Sequence, residues 1–251
     1  ALPILLPDFD SLAPLERFDP QAFCSDDRAE QAVCDFVLML ALVFNDFKDL
    51  LWALTQLEAN KPDLTQITTQ RGQYGGMQFH ITKLLHALIF DLSELIQKNE
   101  DAINHPLFKK TLDAMRGQTK ARWNDVVRIA RGQVTNDERA LSKVSELVRH
   151  NISAHYYQPR FLSAGYRKHF GLKLDPAYQN GFISRGDSLR TSRFYFADAG
   201  VSGCFATLTE GQLDDLRKTM ADFADAINKA LYDLVQNFIL VRGFRISLWS
   251  A

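Results

Sequence analysis

Residues 28–57, RAEQAVCDFVLMLALVFNDFKDLLWALTQL, decide the fold class of this 251-residue chain. Apolar side chains recur through them every three or four residues, the period of an α-helix. Between 33 and 44 the pattern is apolar nearly all round, which predicts a central, buried helix. Ser25 offers an N-cap ahead of it, and Asp26 and Asp27 suit the positive end of a helix. Lys61-Pro62 closes it, because proline cannot continue the backbone ladder.

The same period returns on both sides of the middle of the chain. After the glycine-punctuated RGQYGG of 71–76, read as a helix-entry turn, Phe79, Ile81, Leu84, Leu85, Leu88, Ile89, Leu92 and Leu95 mark a second helix. Asn104-His105-Pro106 ends that segment and opens a third helix over 107–130. Thr135-Asn136-Asp137-Glu138 is a capping box that starts a fourth. Thr209 with Gln212 forms another box, ahead of a last long helix striped by Leu213, Leu216, Met220, Phe223, Ile227, Leu231, Leu234 and Phe238. Residues 1–25 read as an irregular arm whose Leu and Phe side chains lie on the core. From 159 to 203 the helical period lapses, and SRFYFADA (192–199) followed by GCFATL (203–208) suggests a short hairpin. The expected architecture is all-α: one domain over 1–251, a helical bundle of about five long helices. An irregular insertion over 159–208, containing the hairpin, precedes the last helix.

Charge is unevenly laid out. The formal net is −1, yet 104–193 holds 17 Lys+Arg against 7 Asp+Glu, and the remainder 12 against 23. A basic middle allows a polyanion-binding face; the alternative is that acidic helices pair with basic ones inside the fold or across a dimer. Cys24, Cys34 and Cys204 form no CxxC pair and are odd in number, which argues against a disulfide framework and fits a reducing compartment. No secretory signal is visible, and the longest apolar run, 36–44, is far shorter than the ~20 residues of a membrane span. The chain reads as cytoplasmic, with no membrane partner.

Metal and cofactor chemistry has little foothold. His80 and His86 lack a carboxylate at bundle-site spacing and read as satisfied core or interface histidines. Gly72, Gly75 and Gly76 lack the Lys-Ser/Thr and the preceding strand of a phosphate loop. No serine elbow occurs, and Cys204 has no local base. The pattern requires no metal and no cofactor.

What remains is SELVRHNISAHYYQP, residues 145–159. Arg149 supplies a planar fork of donors that suits phosphate, and His150 and His155 can move protons near neutral pH. Asn151 and His155 are four apart and share a helix face. A surface ion pair of Arg149 with Glu146, and a packed His155 beside Tyr156 and Tyr157, are the bland alternatives. This stretch resembles the HEPN superfamily, whose signature is an arginine, a following polar residue and a terminal histidine. Here these are Arg149, the pair His150 and Asn151, and His155-Tyr156. The resemblance implies a helical, commonly dimeric protein and a metal-independent endoribonuclease of a toxin or antiphage type. It equally admits an inactive module binding RNA, a nucleotide or a partner protein such as an antitoxin. On that resemblance His155 would be the acid–base group, Arg149 would stabilise the phosphorane, and His150 or Asn151 would position the phosphate. Arg149 and His155 stand about 120° apart around a straight helix and ~9 Å apart along it. One copy alone would not aim both at one phosphate, so the reading predicts a homodimer. Tyr156 would stack RNA bases, and Arg185, Arg190 and Arg193 of the basic loop would grip its backbone; Tyr157, Tyr166 and Tyr195 are further stacking candidates.

Overall fold

Helix α1 (Arg28–Ala59) begins where Asp27, not Ser25, turns its carboxylate on the N–H groups of Ala29 and Glu30, 2.9 and 2.8 Å away. Ser25 stands two residues outside, its hydroxyl accepting the Asp27 N–H at 3.2 Å. α1 buries Val33, Phe36, Val37, Leu40, Val43 and Phe47, but Leu38 and Leu42 on the opposite face are 53% and 51% exposed. The all-round apolar run is thus half covered, not sunk in a core. The computed structural model describes residues 16–66, 68–150, 159–171, 182–184, 192–208 and 213–248.

Helix α2 (Thr69–Lys98) takes in the whole of RGQYGG, which is helix and not an entry turn. Its glycines serve packing. A Cβ at Gly72 would lie 2.1 Å from the ring of Tyr195, and one at Gly76 would lie 1.6 Å from the guanidinium of Arg193. Short α3 (Glu100–Asn104) follows, and then α4 (Pro106–Ala114). His105 caps α4 by accepting the Leu107 N–H on Nδ1 at 3.2 Å, and Pro106 fills the first helical position, where no donor is needed.

The helix expected over 107–130 breaks. Met115 and Arg116 are extended, and α5 (Gly117–Ala130) starts afresh with no cap from its own first residues. A brace comes from α9 (Leu213–Val241). Asp233, 5% exposed, accepts the Arg116 N–H at 3.2 Å and the Thr119 hydroxyl, and lies 3.7 Å from the Arg116 side chain. Asn237 donates to its other oxygen at 3.1 Å. The carboxylate thus takes the N–H of Arg116, the residue just ahead of α5, as the N3 acid of a capping box would, and ties that turn to α9.

Helix α6 (Asn136–Val148) opens on the expected capping box: Glu138 accepts the Thr135 N–H at 2.8 Å, and the Thr135 hydroxyl accepts the Glu138 N–H at 3.3 Å. Within the insertion the lapse in period conceals two helices, α7 (Pro159–Gly171) and α8 (Tyr195–Leu208). Residues 195–208 are therefore helical and form no part of a hairpin. The hairpin present joins β2 (Ile183–Ser184) to β3 (Arg193–Phe194), with Ile183 opposite Phe194. α8 is apolar and small on nearly every face, so its sequence shows no helical contrast. Of the arm, β1 (Glu16–Arg17) pairs antiparallel with β4 (Ser247–Leu248), and Phe23 packs on Phe238 at 5.5 Å. The proposed cap at Thr209 and Gln212 lies outside the described residues.

These elements make two compact units, each drawn from separated stretches of chain. The first takes in 16–49, 91–138 and 218–248, around Phe36, Phe108 and Trp123, whose rings meet at 5.5 and 5.6 Å. The second takes in described residues of 50–90 and 139–217, with α7 packed along α8. At that crossing a Cβ on Gly203 would lie 1.9 Å from the Gly165 carbonyl oxygen. Some of the basic middle is neutralised inside the first unit. Arg131 pairs with Glu100 at 2.6 Å and Arg128 with Glu138 at 2.6 Å.

Replacing Asp233 by alanine removes a buried acceptor and strands the start of α5. Urea unfolding should show a loss of about 3 kcal/mol, against a smaller loss for Asp233→Asn, which keeps an acceptor oxygen for the Arg116 N–H and the Thr119 hydroxyl.

Candidate functional site

The polar stretch singled out in the sequence begins at the C-terminal end of α6, and the position of that end is set by what α6 rests on. At its start, Arg128 grips Glu138 with two parallel bonds of 2.6 and 2.8 Å. That fork, with the Thr135 backbone, holds the Glu138 carboxyl down at about 2. Further along, Leu141, Val144, Ser145 and Val148 are all buried, at the spacing of one helix face.

Ser145 is the polar member of that face, and it has a partner. The Nδ1 of His86 on α2 lies 3.0 Å from the Ser145 hydroxyl, and both side chains are buried. One turn further along α2, the ring of Phe90 meets the ring of His150 edge-on at 5.0 Å. Two contacts a turn apart therefore fix α6 along α2: a hydrogen bond at 86/145 and an aromatic contact at 90/150. Burial pushes His86 down to about 4, so it stays neutral and serves as a buried hydrogen-bonding group.

Immediately past Val148 the backbone leaves α geometry. Arg149 and His150 have π-helical backbone, Arg149 half-buried and His150 exposed. π turns are rare and frequent at functional sites, because they widen the helix and re-aim side chains. Asn151, His155 and Tyr156 lie outside the described residues, as do Arg185 and Arg190. Of this stretch the structure describes Arg149 and His150, neighbours in sequence at the end of α6, with Phe90 against the His150 ring.

Arg193 is placed elsewhere. Its guanidinium donates to Asp198 through Nε at 2.9 Å and lies 2.8 Å from it through Nη2, packed in the space left by Gly76. Half-buried Lys83 feels the same carboxylate; burial lowers its pKa and Asp198 opposes that shift. Arg193 therefore ties β3 and α8 to α2. Tyr195 is committed likewise, donating its hydroxyl to the Thr68 carbonyl at 3.1 Å. Sequence reading gave both His80 and His86 as satisfied core or interface histidines; His86 is packed in this way, whereas His80 is exposed. It did not identify Ser145 as the partner, and the only signal was a hydroxyl on an otherwise apolar helix face.

Among the described residues no three His, Cys, Asp or Glu side chains gather as a metal ion would need, and no helix is long and apolar enough to cross a membrane. No protein-family model matches the chain, and neither a curated protein nor a solved structure matches it.

The His86 contact has a pH signature. Above its ordinary value of 6.5 the imidazole is neutral whether the chain is folded or not. As the pH falls through 6.5 the unfolded chain takes up a proton that the buried ring refuses until about 4, so stability declines across that window. The expected loss between pH 7 and pH 5 is about 2 kcal/mol. His86→Leu should be less stable at pH 7 yet lack this contribution to the slope, as read from urea midpoints at the two pH values.

Proposed function

We propose that this chain is a HEPN-like, metal-independent endoribonuclease acting as a homodimer. The observation that carries the reading is the π turn at Arg149-His150. A packed, doubly anchored helix departs from regular geometry at the residues where the phosphate-handling pattern begins. In the two-fold pair, His155 of one copy takes the proton from a ribose 2′-hydroxyl, and the freed oxygen attacks the adjacent phosphorus. Arg149 stabilises the charge gathered on the phosphorane. His155 of the other copy gives a proton to the departing 5′-oxygen, which leaves a 2′,3′-cyclic phosphate and a 5′-hydroxyl. His150 and Asn151 position the phosphate, Tyr156 stacks a base, and Arg185 and Arg190 hold the strand. A toxin or antiphage effector restrained by a protein partner is the biological setting this chemistry suits.

One observation favours the second reading, a HEPN-like module that binds RNA, a nucleotide or a protein without cutting. Arg193, one of the basic-loop candidates, spends its charge on Asp198, so the grip on a backbone is weaker than the sequence suggests.

The two readings separate on total RNA incubated at neutral pH in excess EDTA, with fragment ends mapped. The wild-type chain should cut to 2′,3′-cyclic or 3′-phosphate ends. His155→Ala should lower the rate by about 100-fold or more, the usual reach of general acid–base catalysis, and Arg149→Ala comparably. Equal inertness of all three folded chains on every RNA tried would end the nuclease reading.

A further inference from the structure

Cys24 and Cys34 lie together in the first unit, and nothing described above uses their thiols. Their settings differ. Cys24 is exposed, whereas Cys34 is fully buried on α1. Cys24 has extended backbone just after a 3-10 turn (Pro20–Phe23), and Ser25, Asp26 and Asp27 lead from it into α1.

Two clamps hold the chain around Cys24 against Cys34. The first is the side-chain amide of Gln31, which uses both its ends. Its Nε2 donates to the Phe23 carbonyl at 3.3 Å, and its Oε1 accepts the Ser25 N–H at 2.7 Å. Gln31 stands three residues before Cys34, on the same side of the helix. The second clamp is Arg242, just past the end of α9. It donates through Nη1 to the Cys34 sulfur and through Nη2 to the Cys24 carbonyl at 2.8 Å. One guanidinium thus touches the thiol of one cysteine and the backbone of the other. The two thiols also feel each other. Burial pushes the Cys34 thiol up, Arg242 opposes that shift, and Asp35, Glu30 and Cys24 add to it.

We propose that Cys24 and Cys34 form a reversible disulfide couple, in which the exposed thiol meets a peroxide and the buried thiol closes the bond. The Cys24 sulfur attacks one peroxide oxygen; an S–O bond forms, the O–O bond breaks, and the departing hydroxide leaves as water. Cys24 is then a sulfenic acid. The Cys34 sulfur next attacks the Cys24 sulfur; an S–S bond forms, the S–O bond breaks, and the oxygen leaves as water with the Cys34 thiol proton. Two thiols and one peroxide become one disulfide and two waters, the sulfurs oxidised and the peroxide reduced. Arg242 favours the attacking thiolate, since a cation beside a sulfur stabilises its charged form. A transient bond of this kind is the form of disulfide that a reducing compartment allows.

Closure would staple the described part of the arm to α1. The arm is already laid on the far end of the chain, through β1 on β4 and Phe23 on Phe238. The bond would also take the Cys34 sulfur away from Arg242 as an acceptor of full strength, leaving that guanidinium the Cys24 carbonyl. This couple is independent of the RNA reading.

The test is peptide mapping of the full chain. Reduced protein is freed of reductant, exposed to hydrogen peroxide, quenched with an alkylating reagent before it is unfolded, and digested with trypsin. Arg28 lies between the two cysteines, so they fall on separate peptides, 18–28 and 29–48, unless a disulfide joins them. The joined pair should appear in monomeric protein, both thiols being lost together, and dithiothreitol should restore both. Cys204, in the second unit, should keep its thiol throughout and serves as the control. Cys34→Ser should leave Cys24 without a resolving partner, so that it runs on to the irreversible sulfinic acid. Cys24→Ser should leave the buried Cys34 reduced. The wild-type chain gives the deciding result, so the test does not hang on the folding of a variant. Cys24 oxidised to the sulfinic acid beside a reduced Cys34 overturns the proposal. So does a Cys24 thiol that survives the peroxide, or a disulfide joining Cys24 to a second copy or to Cys204.

Discussion

A single buried carboxylate, Asp233, sets the terms for the first unit. Burying a charge costs several kcal/mol unless donors surround it, and here the backbone of Arg116, the hydroxyl of Thr119 and the amide of Asn237 do so. In return the turn ahead of α5 is tied to α9. The consequences pass along the chain. The end of α5 carries Arg131, held by Glu100, and just before it Arg128, held in a fork by Glu138. Glu138 is at once the partner of Arg128 and half of the capping box that opens α6. An acid on the last helix thus braces the start of α5, and the end of α5 braces the start of α6.

The second unit is organised by what is missing. Gly72 and Gly76 leave room on α2 for the Tyr195 ring and the Arg193 guanidinium, and Gly165 and Gly203 let α7 and α8 touch backbone to backbone. Each glycine inside a helix costs about 1 kcal/mol against alanine. The packing it permits offsets that cost: the Tyr195 hydroxyl reaches Thr68, Arg193 reaches Asp198, and Cys204 is buried against α7.

The long helices could be read from the sequence because their signals are local. Periodicity gave α1, α2 and α9, and His105-Pro106 and Thr135–Glu138 are start signals complete within a few residues. What could not be read depends on distant partners. Near Met115 only Gly117 hints at a break, and the acceptor that braces Arg116 stands 117 residues further on. The glycines of RGQYGG look like a turn until Tyr195 and Arg193 are seen to fill their space. α8 hid for another reason: Phe194, Tyr195 and Phe196 favour strand locally, and the small residues after them show no polar face. The candidate site divides in the same way. Arg149 and His150 announce themselves by residue type. The His86–Ser145 bond joins residues 59 apart, each of which looks alone like a minor exception on an apolar helix.

The glycine contacts also bear on ancestry. Most surface and many core positions of such a bundle can drift while hydrophobic pattern and volume are kept. Positions 165 and 203 cannot, because any side chain there would collide with the backbone or with Cys204 of the facing helix. Diverged relatives that keep this helix pair should therefore share a sparse fingerprint of glycines at 165 and 203, with 72 and 76 on α2, long after general likeness has faded.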